Sequence, residues 1–561
     1  MNADFAEYVV AAPTREEVAA QYRTLTLELD NADSGDAALA VVEAWDALRR
    51  RLENWKSLVG IRFHQDTRNT EYKEAREYCD QLDPKLTHLA VDMKRRLMKS
   101  RFRSAIEERF GSHVFNLWEC DAAAFDPAIE ADLVEEAQLD TRYTELLASA
   151  KFEFQGESLT LSELTKFSEH PHRDVRRDAA RLRWGWFVGN QNELDEIFAA
   201  LVQLRRQMAA KLGFHNFVEV GYQRMQRVDY GPAEVERFRR QVRDCVVPLA
   251  EQIRAQQSQR LGIDPLMAWD EGLFDPDGNP RPQGDHDWMI DRATEMFAEL
   301  GHGMDAFFAR MCSSGLIDLK SRDGKAGGGF CDALPEFGMP FIFANFNGTM
   351  GDVCVFTHEM GHAFQVFSSL DKPLYDHAWP TCESCEIHSM GLEFLSWPQM
   401  ELFFRNDAER FRRLHLIESI LFLPYGVAVD HFQHLVYEQP NCSPDDRAAM
   451  WQEMERTYLP SLQWGDLTHP ASGRRWQAQL HIFGSPFYYI DYTLALTCAL
   501  QFWDLAERDR GEALRRYVAL CRRGGEAQFG ELIASAGLTS PFEEGCLQGV
   551  VERARKALLI D

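Results

Sequence analysis

The sequence predicts a mostly α-helical fold, and three observations carry that prediction. Apolar residues recur at helical spacing over long stretches, strand-like alternation is confined to short pieces, and 45% of the 561 residues are apolar, enough for a large core. In "VVEAWDALRRRLENWKSLVG", Val41, Trp45, Leu48, Leu52, Trp55 and Val59 fall on one helix face. Ser34 and Asp36 are N-cap candidates for that helix, and Gly60 is its expected stop. "KFEFQGESLTL" (151–161) alternates around a glycine and reads as a small hairpin. "NELDEIFAALVQLRRQMAAKLGF" lines up Leu194, Ile197, Phe198, Leu201, Leu204 and Met208, with Gly213 at its C-terminal end. "MPFIFANFNGT" (339–349) is an apolar strand that ends in turn residues. Proline, glycine, asparagine and aspartate mark loops at 274–285, 321–329 and 438–446. No internal repeat is visible. A boundary near "EHPHRD" divides the chain into an N-terminal helical region, 1–170, and a second region, 171–561.

Charge narrows the partners. Lys plus Arg total 61 and Asp plus Glu 88, a formal charge of −27. Nucleic acid and anionic lipid both require a basic footprint, so neither is an expected partner, whereas cationic small partners would be tolerated or attracted. The N-terminus lacks a basic stretch followed by an apolar core, and no window reaches the roughly 18 to 20 apolar residues of a membrane span. Twelve scattered cysteines in such a chain read as reduced thiols, and the expected location is the cytoplasm. Nothing in the sequence sets an oligomeric state.

The chemistry concentrates in "CVFTHEMGHAFQVF" (354–367). Thr349 and Asp352 form a Thr-x-x-Asp start of the capping-box type. Behind them Val353, Phe356, Met360, Phe364 and Phe367 keep helical spacing, which puts His358 and His362 one turn apart on the same face. Two imidazoles so placed grip one tetrahedral ion and leave room for a third ligand and a water. Glu359 sits beside them, where a carboxylate can take a proton from that water and pass it to a leaving amine. Gly361 leaves space for another backbone to approach the helix. A third histidine ten positions after the first would fall at Ser368, so the third ligand is sought among Glu383, Glu386 and Glu393 of "TCESCEIHSMGLEF". Spacing does not choose among these.

"HEMGHAF" followed by "EIHSMGLE" resembles the metal-site element of the thimet oligopeptidase and oligoendopeptidase F family of zinc metallopeptidases. "GGGFCDALPEFGMPFIFANFNGTMGDVCVFTHEMGHAF", "HIFGSPFYYIDYTLALTCALQFW", "RDVRRDAARLRWGWF" and "RRQMAAKLGFHNFVE" look similar as well, so the likeness runs from about residue 150 to the end. The resemblance implies one Zn²⁺ held by His358, His362 and Glu386, with Glu359 as general base. It implies that Glu393 braces a ligand imidazole and leaves Glu383 as a rival whose alternative is a solvated charge. It also implies a helical shell around a deep substrate channel with a small β-sheet bordering the zinc site, and 171–561 as the catalytic domain. The expected reaction is hydrolysis of internal bonds in short peptides, with "PFIFANF" as the sheet edge that pairs with substrate main chain.

In that family a late histidine and tyrosines bind substrate and donate to the oxygen that gains charge in the transition state. His481 carries over cleanly, and among Tyr488, Tyr489 and Tyr492 the expectation falls on Tyr489 and Tyr492, with aromatic core packing as their plainer reading. Gly484 and Ser485 offer a hinge between His481 and the tyrosines. Cys382 and Cys385 depart from the family pattern and offer a redox switch or a soft-metal site, against the plainer reading of inert buried thiols. A carboxypeptidase with the same motif, a non-catalytic peptide-binding module and a thiol-redox protein remain the alternatives. The first would need a positive group to hold a free C-terminal carboxylate.

Overall fold

The structure is a computed structural model that describes residues 4–560. Helices dominate, and among the described residues there are two small sheets. Helix α1 (Arg15–Asn31) opens on a Thr14 capping box, and α2 (Gly35–Gln65) on Ser34, whose hydroxyl accepts from the Ala37 amide. Helix α2 runs through Gly60 to Gln65 because Ile61, just beyond the glycine, is fully buried. Tertiary burial thus overrides a local stop signal. With α3 (Thr70–Met98) these helices enclose a core of their own around Tyr22, Trp45 and Trp118. The predicted stripe residues Val41, Trp45, Leu48, Leu52 and Trp55 all lie in it.

Strands β1 (Phe152–Phe154) and β2 (Glu157–Leu159) form the expected antiparallel hairpin. Gln155 and Gly156 both take positive φ, at 51° and 84°, as a tight two-residue turn requires. Helix α4 (Arg173–Lys211) is one 39-residue element, whose stripe from Leu194 to Met208 is buried. It ends at Gly213, where φ is 83° and Phe214 N–H returns to the Ala209 carbonyl.

The second sheet contains β3 (Ile317–Lys320), β4 (Phe330–Leu334) and β5 (Met339–Phe346) in the order β3-β5-β4. Strand β5 pairs parallel with β3 and antiparallel with β4, so it is the central strand. The expectation that "PFIFANF" forms a free edge is therefore corrected: both of its edges carry protein partners, and the free edge next to the site belongs to β4. The near-continuous burial of Met339–Ala344 is what a central strand covered on both faces requires.

Helix α5 (Gly351–Phe367) follows β5 directly. Its start also differs from the expected box. The Asp352 carboxylate accepts from the Asn347 and Gly348 amides, and Thr349 instead bonds Asn347. Asp352 thus fixes the turn from β5 into α5. Helices α6 (Cys382–Leu395), α7 (Ala408–Glu438) and α8 (Tyr489–Arg508) complete the frame, with α6 packed along both α5 and α8. Residues 370–377, between α5 and α6, plug into the N-terminal helices. Leu374 joins their core, Arg50 donates to the carbonyls of Leu370 and Lys372, and Asp376 takes up Arg49 and the Trp118 indole.

Candidate metal centre and active site

Gly361 decides how α5 meets α6. A Cβ there would fall 2.4 Å from the His388 carbonyl oxygen and 2.6 Å from Ser389 Cα, so only glycine allows this close crossing. The crossing brings the second turn of α6 under the histidine face of α5. Glu386 Oε2 then lies 3.1 Å from His358 Nε2 and 3.3 Å from His362 Nε2. Two imidazole nitrogens and one carboxylate oxygen thus face a common point, the donor set of an open tetrahedral site. Ser389 Oγ donates to Glu386 Oε2 at 2.8 Å, and the Tyr488 hydroxyl donates to Oε1. Burial alone would raise the Glu386 carboxyl, but His362 and His358 outweigh it and hold it well below the usual carboxylate range.

Glu359 is 6% exposed, and its Oε2 has no hydrogen-bond partner among the described residues. An unpaired buried carboxylate oxygen is costly, and beside this donor set it is placed to accept from a water. Burial raises its pKa against the opposing pull of His358 and His362. On its other side, a Cβ added to Gly329 would approach Glu359 Oε1 to 3.1 Å, so the chain entering β4 runs close by the carboxylate.

A hydrogen-bonded chain behind His358 fixes its tautomer. The Trp397 indole can only donate, and its Nε1–H reaches His415 Nδ1 at 3.0 Å. His415 therefore carries its proton on Nε2, which donates to Glu393 Oε2 at 2.7 Å. The other oxygen, Oε1, accepts from His358 Nδ1–H at 2.8 Å, which leaves Nε2 as the His358 nitrogen that would face an ion. The same logic bears on Cys354, Glu393 and His415, which also lie within metal-sharing distance of one another. With His415 Nε2 occupied by its proton, that trio is a tautomer lock and no ion site.

Glu383, one turn before Glu386, stands apart. It is 1% exposed, accepts from the Thr381 hydroxyl at 2.6 Å, and is raised by burial and by the charge of Asp491. Its reading as a solvated charge is corrected, since this acid is fully enclosed and turned away from the histidines. All twelve cysteines are free thiols. Burial pushes Cys382 and Cys385 well up, and Cys385 donates to the Pro380 carbonyl, the mark of unreactive thiols.

The late segment forms the wall facing Glu386. The Tyr425 hydroxyl donates to Gln479 Oε1 at 2.8 Å, so the Gln479 amide nitrogen, 2.9 Å away, donates to His481 Nδ1. His481 thus holds its proton on Nε2, 3.2 Å from the Tyr492 hydroxyl. Burial lowers its pKa to about 4, which keeps it a neutral donor at neutral pH. Tyr489 is buried with its ring 5.1 Å from His481 and packs against Tyr425 and Phe422. Tyr488 is the tyrosine whose hydroxyl reaches Glu386 of the donor set. Its direction is set by Phe487, held at φ 68°. The Phe487 amide donates to Gln433, its carbonyl accepts from Arg227, and its ring lies where a Cβ on Gly221 would clash at 2.4 Å. At the head of this segment Gly484 lies close against Asp140, whose Oδ1 would be 2.5 Å from an added Cβ.

Trp397, His415 and Tyr488 were not singled out as site residues in the sequence. No chain signal marks the first two, which belong to elements that only packing brings to Glu393. Tyr488 sat within the legible tyrosine cluster, but its orientation depends on the unusual Phe487 backbone.

A helical fold with a His-Glu-x-x-His helix crossed by a glutamate-bearing helix defines a metallopeptidase. Residues 5–125 match the profile of the Peptidase M3 N-terminal domain, and residues 166–277 and 302–552 match Peptidase family M3. The chain belongs to peptidase family M3. It is 20% identical over 547 residues to an oligoendopeptidase F homolog of Lactococcus lactis subsp. lactis (strain IL1403), covering 90% of this chain and 86% of that one. Among solved structures it is similar to PZ peptidase A with an inhibitor, at 41% identity, 99% coverage of both chains and a TM-score of 0.98. It is similar also to a structure assigned as an oligoendopeptidase F from Bacillus anthracis str. Ames, at 41% identity, 99% and 98% coverage and a TM-score of 0.93. Among the described residues no helix is long and apolar enough to cross a membrane.

Proposed function

We propose that this protein is a zinc-dependent endopeptidase that hydrolyses internal bonds of short oligopeptides in the cytoplasm. One observation carries the reading: His358 Nε2, His362 Nε2 and Glu386 Oε2 converge beside the partnerless Glu359 Oε2. These three residues would hold the ion, and the mixed imidazole and carboxylate donors suit Zn²⁺. When bound, the ion acidifies a water and polarises the scissile carbonyl. Glu359 Oε2 accepts the proton of the attacking water and delivers it to the leaving amine, a transfer that its raised pKa favours. His481 Nε2–H and the Tyr492 hydroxyl donate to the carbonyl oxygen as it gains charge, and the Tyr488 hydroxyl joins them by turning to that oxygen from Glu386, to which it donates in the free enzyme. Tyr489 braces the His481 ring. The free edge of β4 pairs with the substrate main chain, which is blind to most side chains and predicts broad specificity. Net charge of −27 supports peptides as partners and speaks against nucleic acid and membranes.

Metal analysis combined with product mapping on peptides of graded length tests the proposal. The expected result is one zinc per chain, cleavage inside short peptides and none of stably folded domains. Stepwise trimming of single residues from the C terminus would replace this reading with a carboxypeptidase.

A further inference from the structure

The helix Glu130–Ala148 belongs to the N-terminal region, yet it packs against the segment that carries His481. Its contacts fall on both sides of that histidine. Before it, the Tyr143 hydroxyl donates to the Gln477 carbonyl at 3.0 Å. After it, the Tyr143 ring stacks on Phe483, with centroids 3.9 Å apart and planes at 13°. Asp140 lies beside Gly484 from the same helix face, and one turn further back Glu136 accepts from Arg205 Nε at 2.6 Å. Arg205 donates in turn to the Phe483 carbonyl and, at 2.8 Å, to the Tyr437 hydroxyl. Tyr143 and Arg205 are both buried, at 1% and 0% exposure.

Plain packing between helices would need only the apolar residues of this helix, and Leu139, Leu146 and Leu147 do lie against the core. The Tyr143 hydroxyl adds something that packing does not require. Gln477 is fully buried and its side-chain amide is committed to Asp195 at 2.8 Å, so its carbonyl has no water to turn to and Tyr143 is its partner. That carbonyl belongs to the single turn Arg475–Ala478. The next residue, Gln479, donates its main-chain amide to the Trp476 carbonyl of the same turn at 3.0 Å. The Gln479 side chain is the group that donates to His481 Nδ1 and so keeps the imidazole proton on Nε2. We propose that Tyr143 is a positioning residue for His481: its hydroxyl holds the turn that presents Gln479 to Nδ1, and its ring holds Phe483 on the far side. The assignment rests on the peptidase reading above and extends the working parts of the site to a helix that precedes residue 171.

Tyr143→Phe tests this, because it keeps the ring on Phe483 and deletes only the hydroxyl. It should lower kcat about tenfold while KM and zinc content stay unchanged, the pattern of a misplaced donor that acts in the transition state. In a His481→Ala background the same substitution should cost nothing further, since the group it positions is gone. A loss of equal size in both backgrounds means a general structural role and overturns the proposal. Comparing the two backgrounds also cancels any loss of folded enzyme. Wild-type kcat in Tyr143→Phe overturns it as well. Histidine ring-nitrogen NMR on the full chain reads the positioning without turnover, with the His481 signal identified by its absence in His481→Ala. The unaltered protein should show the proton on Nε2, and Tyr143→Phe a mixture of the two tautomers. An unchanged His481 signal overturns the proposal alone. Absence of cleavage by the unaltered enzyme would sink the peptidase reading, and the NMR comparison would still decide whether Tyr143 positions His481.

Discussion

Two carboxylates one turn apart on α6, Glu383 and Glu386, are equally buried at 1% exposure and differ in every other respect. Around Glu383 the neighbours are Asp491 and a single arginine. Arg227 bonds Asp491 at 2.7 Å, Thr381 bonds Glu383, and both acids are raised by burial. That cluster settles its charge internally, with one arginine and a retained proton. Around Glu386 the neighbours are two imidazoles, a serine and a tyrosine hydroxyl, and the carboxyl is driven the other way. Two imidazole nitrogens and a carboxylate oxygen share one point there, an arrangement suited to a cation. Burial alone therefore says nothing about whether an acid is a ligand. The partners that burial selects decide it.

The largest expected effect breaks the active side of the comparison. Glu359→Gln should abolish turnover while zinc content stays at one per chain, because the amide keeps the size and cannot accept the proton. Near-normal activity in a zinc-loaded Glu359→Gln enzyme would remove the base. Next, Glu386→Ala should lose zinc under chelator challenge, beyond the 10- to 100-fold affinity loss typical of a residue that only supports a ligand, while Glu383→Ala retains it. Equal zinc content in the two variants would erase the distinction drawn between the clusters.

Removing a donor from the facing wall tests how the Glu386 cluster is completed. His481→Ala or Tyr488→Phe should lower kcat by on the order of 10²-fold to 10³-fold with zinc intact. Wild-type kcat in both variants, and also in Tyr489→Phe and Tyr492→Phe, would reduce the segment to aromatic packing. A smaller effect is expected from His415→Ala, which unties Glu393 from one side. Zinc affinity should fall about 10- to 100-fold, measured by competition with a chelator. An unchanged affinity would mean that the indole-to-imidazole chain does not orient His358.

The smallest effect concerns stability at the Glu383 side. Its carboxyl is raised by burial and by Asp491, to about 8, so the native state holds a proton that the unfolded chain has released. That stability is fully present below the ordinary glutamate pKa and is lost as pH rises towards 8. Glu383→Gln should therefore gain stability relative to the unaltered protein as pH rises through that window, at most a few kcal/mol at roughly 1.4 kcal/mol per pKa unit. Denaturant unfolding at both ends of the window reads it, and a pH-independent difference would contradict the retained proton.

What the sequence determined by itself are the features written in local periodicity. The helix stripes at 41–55 and 194–208, the hairpin at 151–161, the Ser34 cap and the turn of helix that aligns His358 with His362 all follow from spacing within a few residues of chain. Glu386 was legible through the resemblance of its motif, since spacing left three glutamates equal. Tertiary structure decided what depends on contacts between distant segments. It carried α2 past Gly60, made β5 a central strand, and turned Asp352 back onto the loop before its helix. It also enclosed Glu383, tied Trp397 through His415 to Glu393, and aimed Tyr488 at Glu386 through the strained Phe487. The physical reason is one of range. Backbone hydrogen bonding and apolar periodicity act between near neighbours, whereas the orientation and protonation of a buried polar group are set by whichever donors and charges the packed chain brings within a few ångströms.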